Sequence, residues 1–426
     1  MPKVLLISHN PLTTYESMGK TFSTLLRSFA CDEICQLYIY PTVPNVDTCS
    51  SFFRITDKDV LRSYVRFRVQ GTRIEPDTAQ SQMFESSGDE QLYRNPKNKR
   101  STVMLARDLM WKCAGWYTRE LRAWLDEQKP DCIFAAPGAA MFLYDMAMKI
   151  SRERSIPIVS YLCDEYYFVE ETGSLWRRLR LKLLKRKIEQ YMSRTSHVIT
   201  ICDELKGLYT SRFHRPMTTI MTGSSFPISK EIHSVDSPTS ITYLGNVRCD
   251  RYTSIAEMGR ALEEINGEDG TDYHINIYTG EKDKQILGVL ESAKTVRLCG
   301  FVSGEEFNAV LHSSDFLLHT ESFDDGYIEV VRNSVSTKIA DSLGSGVPLI
   351  AYGPGCIASM GHLLRNDCAI TITEKEALKE TLRTAFRDKE LRDQKARNGL
   401  RVAMQYHEPR ACGDMVKKVF ENITAR

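Results

Sequence analysis

The stretch at residues 336–350, STKIADSLGSGVPLI, has the pattern of a short helix that leads directly into a buried strand. Apolar residues recur at helical spacing from Ile339 to Leu343, Gly346 is placed to end the helix, and Pro348 opens the apolar strand. Helices that alternate with buried strands are the units of parallel sheets. The stretch therefore predicts a parallel sheet in this part of the chain.

Similar units repeat along the 426 residues. Their strand candidates are continuous apolar runs, which suit parallel strands buried on both faces. Twelve such runs occur, at residues 4–8, 35–40, 132–136, 158–162, 198–201, 218–221, 241–244, 275–278, 296–299, 316–319, 349–351 and 369–372. Two series of about six strands predict an α/β protein with two Rossmann-like domains.

Residues 223–239, GSSFPISKEIHSVDSPT, contain two prolines and five serines between two strand candidates, which predicts a linker. We accordingly predict a first domain at residues 1–225, a second at 226–405, and a final helix at 406–426 that crosses back to the first domain. Residues 71–100 have little apolar periodicity and are predicted to form a mobile surface loop within the first domain.

Composition restricts the class of protein. A formal net charge of +1 gives no support for bulk nucleic-acid binding. The sequence has no run of about 20 apolar residues and no signal-peptide pattern at its start, so we expect neither a membrane span nor secretion. The 12 cysteines are scattered without metal-ligand spacing, which favours reduced thiols in a cytoplasmic protein.

The start of the helix within residues 336–350 is a candidate anion site. Ser336 or Thr337 is placed to cap the helix, and free N–H groups at a helix start attract phosphate. Lys338 adds a positive charge where a helix dipole disfavours one, unless a phosphate lies between them. Asp341, one turn on, is placed to accept hydrogen bonds from ribose hydroxyls. The alternative is an ordinary capped helix with a surface Lys and Asp.

A second candidate lies at the end of the first strand of the second domain. Gly245 and Asn246 form the turn, and the glycine lets a ligand approach the backbone closely. Arg248 and Arg251 follow, with guanidinium groups suited to bidentate contact with a diphosphate. Two solvated arginines in a loop are the alternative.

Three stretches together, LGNVRCDR at residues 244–251, LCGFVSGEEF at 298–307 and the stretch from residue 336, resemble the C-terminal domain of glycosyltransferase family 4. The resemblance covers most of residues 241–407 and implies the GT-B fold, in which two Rossmann-like domains face a central cleft. It also implies a retaining enzyme in which the leaving diphosphate takes the acceptor proton.

The resemblance assigns roles to individual residues. Arg248 and Arg251 match the basic residues that bind the donor diphosphate, and Lys338 is expected to face phosphate. The family has two Glu residues eight apart, of which the second, ribose-binding one matches Asp341. Asn333 stands at the first of these positions, so that carboxylate is missing. Glu321 resembles the missing acid only superficially, because it lies twenty residues before Asp341.

In the first domain, the resemblance places Gly19 where a glycine lets the donor diphosphate approach a helix start. A plain turn is the alternative. Asp164 and Glu165 follow a strand candidate, and Asp164 is a candidate catalytic-site contact for sugar hydroxyls. A surface loop explains these two carboxylates equally well.

Residues 176–187, WRRLRLKLLKRK, hold seven basic residues in twelve within an amphipathic pattern. Such a helix suits an anionic membrane surface, and many members of the family act on lipid-linked acceptors. The alternative is a helix packed on the first sheet with a solvated basic face. The expected location is the cytoplasm, and the basic helix leaves binding at the inner face of the membrane as an alternative.

We therefore predict a retaining glycosyltransferase that moves a sugar from a nucleotide-diphosphate sugar to a glycan or lipid-linked saccharide in polysaccharide biosynthesis. Basic groups are expected to replace a metal ion, and no cofactor is expected. A GT-B nucleotide-sugar epimerase and a non-catalytic GT-B binding module are the alternatives. The missing acid at Asn333 is the reason that the binding module stays among the alternatives.

Overall fold

The fold is described from a computed structural model that covers residues 2–13, 17–66, 69–77 and 101–425. The chain divides into two compact units. The first unit comprises Met1–Met221 together with Arg410–Arg426, and the second comprises Thr222–Pro409. The predicted limits at residues 225 and 405 lie a few residues from these.

The first unit is built on an eight-stranded sheet with the order β4-β3-β2-β1-β5-β6-β7-β8 among the described residues. Its strands are β1 (Val4–Ser8), β2 (Ile34–Tyr38), β3 (Ser51–Arg54), β4 (Thr72–Ile74), β5 (Cys132–Ala135), β6 (Ile158–Leu162), β7 (Thr195–Thr200) and β8 (Met217–Thr219). All neighbours pair in parallel except β3 and β4. Its helices are α1 (Ser17–Leu25), α2 (Asp57–Arg66), α3 (Ser101–Cys113), α4 (Arg119–Gln128), α5 (Met141–Arg154), α6 (Leu175–Met192), α7 (Asp203–Phe213) and α16 (Pro409–Thr424).

The second unit is built on a six-stranded parallel sheet with the order β11-β10-β9-β12-β13-β14. Its strands are β9 (Ser240–Leu244), β10 (His274–Tyr278), β11 (Val296–Gly300), β12 (Phe316–Thr320), β13 (Leu349–Tyr352) and β14 (Ile370–Ile372). Its helices are α8 (Arg251–Asp269), α9 (Lys284–Glu291), α10 (Gly304–Ser313), α11 (Asp325–Val331), α12 (Lys338–Gly344), α13 (Ala358–Arg365), α14 (Leu378–Arg387) and α15 (Lys389–Tyr406). Numbered within the unit, the order is 3-2-1-4-5-6, the Rossmann order.

The prediction of an α/β chain with two Rossmann-like units is confirmed, and each predicted strand overlaps an observed one. The sequence pattern does not predict β3 or β4. β3 has only four residues, and β4 is a partly exposed edge strand of three, so neither contains a long apolar run. The loop predicted at residues 71–100 contains β4 near its start, and residues 78–100 of it lie outside the described residues.

Apolar side chains of the second sheet and of α8 and α14 form one buried core. This core fixes the strands, so their carboxyl ends meet along one edge of the sheet. In the Rossmann order the strand order reverses between β9 and β12, where ligands bind in open α/β sheets. The turns that follow these two strands are therefore where a site is expected.

The connecting segment, residues 223–239, is not a free linker. Ser229 N donates to Gly344 O at 2.7 Å and His233 N donates to Gly346 O at 2.8 Å. Gly346 has a φ of +78°, and an added Cβ there would lie 2.5 Å from Glu231 O. Its prolines and serines predicted an irregular chain correctly, but backbone hydrogen bonds fasten that chain to the second unit.

Candidate functional site

The end of β9 brings two predicted residues together. Gly245 follows the strand with a φ of +127°, and its N–H donates to Tyr278 O at 2.8 Å. An added Cβ at this glycine would lie 2.7 Å from Lys338 Nζ. The lysine therefore lies directly against the turn, a contact that the sequence analysis does not predict, and only a glycine leaves room for it.

Tyr243 orients this lysine. Lys338 Nζ donates to Tyr243 Oη at 3.2 Å and lies 4.6 Å from the centre of its ring. The Tyr243 hydroxyl in turn donates to Asn246 O. The sequence analysis did not select Tyr243, although a tyrosine near the end of a strand next to a glycine turn is a usable signal. An ammonium group held over an aromatic face is stabilised there in its charged form.

The helix start contributes less than predicted. α12 has seven residues, and Thr337 occupies its N-cap in helical conformation, with φ −61° and ψ −21°. A threonine caps a helix from the extended conformation, so Thr337, one of the two predicted candidates, does not cap α12 with its side chain. Ser336 meets the first turn through its backbone, where its carbonyl accepts from Ile339 N at 3.1 Å. Two turns of helix give a small dipole, and the positive charge at this edge comes mainly from Lys338.

Arg248 lies in the turn, as predicted, but is paired with a carboxylate. Its Nε donates to Glu281 Oε2 at 2.6 Å and its Nη2 donates to Glu281 Oε1 at 3.0 Å. Hydrogen bonding to Arg248 lowers the pKa of Glu281 to about 2. Asn246 shapes the turn by accepting from Arg248 N at 2.7 Å. The Arg248 side chain remains 57% exposed and is accessible to a ligand, whereas the Glu281 side chain is only 5% exposed.

Arg251 is the first residue of α8 and is also paired. Its Nε and Nη2 each donate to one oxygen of Glu321 at 3.0 Å. The Glu321 side chain is buried and that of Arg251 is mostly buried, with exposures of 3% and 18%. Burial raises the pKa of Glu321, and Arg251 opposes that shift. Glu321, which only superficially resembles a family acid, is therefore the partner that holds Arg251 in place.

A neutral histidine completes this buried group. His319 Nε2 lies 3.6 Å from Glu321 Oε1 and 3.2 Å from Ser359 Oγ. Burial lowers the pKa of His319 well below its ordinary value, so the imidazole is uncharged. Ser322 Oγ also donates to Asp250 Oδ2 at 2.7 Å. The turns after β9 and β12 are thereby joined by an ion pair and a hydrogen bond.

Asp341 does not have the surroundings of a ribose contact. Its side chain is 2% exposed, and its Oδ1 accepts from Ser225 N at 2.7 Å and from Ser224 Oγ at 3.2 Å. A ribose hydroxyl would have to displace these donors from a buried position. This placement argues against the predicted ribose role and assigns the carboxylate to the connecting segment.

Gly19 in the first unit is required by packing. It is buried in α1, and an added Cβ would lie 2.7 Å from both Pro11 O and Thr13 N and closer still to Thr13 Oγ1. The glycine therefore lets α1 pack against the loop after β1. That contact explains the residue without the predicted diphosphate.

The two carboxylates that follow β6 differ. Asp164 is partly buried and accepts from Tyr166 Oη at 3.1 Å. Glu165 accepts from Tyr167 N at 2.6 Å, from Phe168 N at 2.8 Å and from Tyr209 Oη at 3.1 Å. Glu165 thus shapes its own loop, and Asp164 is the better candidate for contact with a ligand.

The basic segment forms α6, with Ser174 as its N-cap. Arg180 is buried, 3.8 Å from Asp108, and it donates to Ala139 O. Lys187 donates to Asp145 at 2.6 Å. The remaining surface of α6 has two parallel rows of exposed side chains. One row is Leu175, Leu179 and Leu183, and the other is Arg178, Lys182 and Arg186.

No group of three or more His, Cys, Asp or Glu side chains within the described residues is arranged to hold a metal ion. The described helices also include none that is long and apolar enough to cross a membrane.

Three solved structures show what this arrangement is similar to. Sucrose-phosphate synthase from Thermosynechococcus elongatus matches with a TM-score of 0.63 at 11% identity over 99% of both chains. Anabaena HepE, solved in complex with UDP-glucose, matches with a TM-score of 0.62 at 12% identity, over 99% of this chain and 100% of its own. WaaG, described as a glycosyltransferase involved in lipopolysaccharide biosynthesis, matches with a TM-score of 0.59 at 12% identity, over 97% and 99%.

No protein-family model and no curated protein sequence matches the chain. At identities of 11–12% the structural matches establish the fold alone. Two Rossmann-like units, matched from end to end by glycosyltransferase structures, give this chain the GT-B fold.

Proposed function

We propose that this protein is a retaining glycosyltransferase. It would move a sugar from a nucleotide-diphosphate sugar to a hydroxyl of a glycan or lipid-linked saccharide in polysaccharide biosynthesis. The observation that supports this most strongly is the position of Lys338, whose ammonium lies against Gly245 at the carboxyl end of β9. The HepE structures add support, since that protein was solved in complex with UDP and with UDP-glucose.

In the proposed reaction the bond between the anomeric carbon and the diphosphate oxygen breaks, and the acceptor oxygen bonds to that carbon. The nucleoside diphosphate leaves with the bonding electrons, and the acceptor proton passes to it. Negative charge therefore develops on the diphosphate, and a fixed cation beside it stabilises the transition state. Lys338 is proposed to supply this charge, with Tyr243 holding the ammonium in place.

Arg248 is proposed as the second diphosphate contact. The Arg248 side chain is exposed enough to turn from Glu281 toward a phosphate, and Glu281 would keep its hydrogen bonds from Lys282 N and Asp283 N. Arg251 is mostly buried, and turning away would take from the buried Glu321 its ion pair. Arg251 is therefore assigned to shaping the turn. With two basic groups on the diphosphate, we expect activity to persist in the presence of a chelator.

Nucleotide binding is the first test. UDP, GDP, ADP and their common sugars are screened by thermal shift, and we expect at least one to raise the melting temperature. Lys338→Ala should weaken the binding of that nucleotide by about tenfold, the usual size for a lost hydrogen bond to a charged group. Lys294→Ala is the control, because Lys294 is exposed on the second unit.

A sugar-transfer assay distinguishes a glycosyltransferase from a protein that only binds a nucleotide. The pairing of both arginines with carboxylates favours a second candidate, a GT-B module that binds a nucleotide without transferring sugar. Formation of a glycosylated acceptor together with release of the nucleoside diphosphate, absent when no saccharide acceptor is added, identifies a transferase. Equal effects of Lys338→Ala and Lys294→Ala would contradict the phosphate assignment, and no shift with any nucleotide would contradict both candidates.

We further propose that α6 binds an anionic membrane surface, with the cytoplasmic face of a membrane as the place of action. Three leucines and the half-exposed Trp176 form an apolar strip beside the row of cations. Apolar side chains enter the headgroup region while adjacent Lys and Arg side chains meet lipid phosphates. A lipid-linked acceptor would reach the protein at such a surface.

Binding to lipid vesicles tests whether the exposed face of α6 contacts a membrane. The triple variant Arg178→Gln, Lys182→Gln, Arg186→Gln should sediment less with phosphatidylglycerol vesicles than the wild type does. Arg180 is left unchanged because it is buried. The control is Lys230→Gln, Lys284→Gln, Lys294→Gln, which removes the same charge from exposed positions of the second unit.

Tryptophan fluorescence gives a second readout. Trp176 is the exposed one among four tryptophans, all of which the structure describes. We expect a blue shift of the emission with anionic vesicles, weakened by salt. Equal binding by wild type and triple variant would favour a solvated helix face.

A further inference from the structure

Two side chains within one turn of α12 contact two different parts of the second unit. Lys338 lies against the turn after β9, while Asp341, three residues on, accepts from Ser224 and Ser225 of the connecting segment. These two serines follow Thr222, the first residue of the second unit. Helix α12, which carries Lys338, is thus hydrogen-bonded to the segment by which the chain enters the second unit.

The same point is held from a second side. His407 Nδ1 lies 2.9 Å from Thr222 O, and because a carbonyl only accepts, this nitrogen carries the proton. Ser224 N donates to His407 O at 2.8 Å. His407 is buried two residues before Pro409, where the chain leaves the unit. The segment that enters the second unit is therefore hydrogen-bonded, near Asp341, to the segment that leaves it.

The tautomers of a buried histidine pair follow from these bonds. With its proton on Nδ1, His407 accepts at Nε2, which lies 3.3 Å from His362 Nε2. His362 therefore carries its proton on Nε2, which leaves its Nδ1 to accept from Asn366 Nδ2 at 3.4 Å. Burial lowers the pKa of His407 to about 4, in keeping with a neutral ring. A chain of hydrogen bonds therefore connects α13 to Thr222 with both histidines in their neutral form.

We infer that Asp341 is a positioning residue, which sets the place of Lys338 by bonding α12 to the connecting segment. This rests on the proposed role of Lys338 at a diphosphate. A carboxylate that accepts a backbone N–H and a hydroxyl holds the helix in one position along its axis. Lys338 is three residues away on the same short helix, so a displaced helix moves the ammonium away from Gly245. Binding residues need such support to hold their geometry.

Inorganic pyrophosphate and UDP distinguish this role from a ribose contact. If Asp341 acts through Lys338, Asp341→Ala weakens both ligands by the same factor, about tenfold, as is usual when the support of a binding group is lost. If Asp341 touches the ribose, the variant weakens UDP and leaves pyrophosphate unchanged. Calorimetric titration of each ligand into wild type and variant measures the two factors. A loss confined to UDP overturns the inference, and so does full affinity for both.

Two further variants protect the test against misfolding. Asp341→Asn keeps an oxygen for Ser225 N–H and should restore the affinity for both ligands to within a few fold. Ser224→Ala removes the Ser224 hydroxyl, which lies in the connecting segment and not in the turn after β9. This variant should weaken the binding of both ligands equally, though less than Asp341→Ala does. Failure of Asp341→Asn to restore binding would indicate that charge, not position, is what the site needs, which also overturns the inference.

Asp315 provides the matched control. Its Oδ2 accepts from Thr239 N at 2.9 Å, Ser240 N at 2.9 Å and Ser240 Oγ at 3.0 Å, so it bonds the far end of the connecting segment at the amino end of β9. Asp315→Ala removes the same kind of bond away from α12 and should leave both affinities unchanged. A loss equal to that of Asp341→Ala would mean that any loosening of the segment suffices, which contradicts a specific link.

Hydrogen exchange supplies a readout that needs no ligand. Amides of residues 338–344 should exchange faster in Asp341→Ala than in Asp315→Ala. If the wild type binds neither nucleotide nor pyrophosphate, the proposed function fails and the inference fails with it. If the wild type binds and the Asp341→Ala variant exchanges and binds as the wild type does, the inference alone fails.

Discussion

The connections β1–α1 and β9–α8 occupy the same topological position in the two units, and each has a glycine at or beside it, Gly19 in the first turn of α1 and Gly245 directly after β9. An added Cβ at Gly19 would lie 2.7 Å from the backbone atoms Pro11 O and Thr13 N. At Gly245 it would lie 2.7 Å from Lys338 Nζ. The glycine of the first unit makes room for the protein's own backbone, and that of the second makes room for a cation.

This difference shows that a glycine after the first strand is weak evidence for a phosphate site. The neighbouring cations distinguish the two connections. The second connection has Lys338, Arg248 and Arg251 around it, of which the two arginines are bonded to Glu281 and Glu321. We therefore expect perturbations at β9–α8 to change both stability and nucleotide binding, and perturbations at β1–α1 to change stability alone.

The largest expected effect is on stability at the two arginines of the second connection. Arg251→Ala leaves Glu321 buried without its partner and should lower the free energy of unfolding by roughly 3–5 kcal/mol. Arg248→Ala removes a half-exposed arginine whose partner Glu281 still accepts from Lys282 N and Asp283 N, and it should cost only about 1 kcal/mol. Urea unfolding of the two variants at neutral pH gives the comparison.

A double variant tests the reason for this difference. Arg251→Met with Glu321→Leu removes both charges and should recover most of the stability lost in Arg251→Ala, because no unpaired charge remains buried. Equal costs for Arg248→Ala and Arg251→Ala would mean that burial does not separate the two pairs, and the assignment of Arg251 to shaping the turn would then be wrong.

The sequence predicted the fold well because buried parallel strands are continuous apolar runs that alternate with helices. It also selected Lys338 and Gly245 for the nucleotide site, but it did not predict that the Lys338 ammonium lies against the glycine. It did not predict the partners of Arg251 or Asp341, which lie 70 and 116 residues away along the chain. Such pairings depend on how loops meet in space, and no periodic pattern records them.

The two glycines should have smaller effects than Arg251, and their variants compare the two connections directly. Gly19→Ala forces the backbone of the loop after β1 to move and should cost about 1–3 kcal/mol of stability, the usual range for overpacking. Nucleotide affinity should stay unchanged, because the proposed nucleotide contacts belong to the second unit. Gly245→Ala places a Cβ where φ is +127° and displaces the Lys338 ammonium. It should cost about 1–3 kcal/mol through backbone strain and also weaken nucleotide binding.

Each glycine variant is measured twice, by urea unfolding and by titration with the nucleotide that gives the largest thermal shift. The ratio of affinity loss to stability loss is the informative quantity, because the two stability costs are expected to be similar. A high ratio for Gly245→Ala and a ratio near zero for Gly19→Ala agree with a packing role in the first unit and a charge role in the second. A clear loss of affinity in Gly19→Ala would restore the diphosphate role that the family resemblance implies for that glycine, and the two connections would then be alike in function as well as in topology.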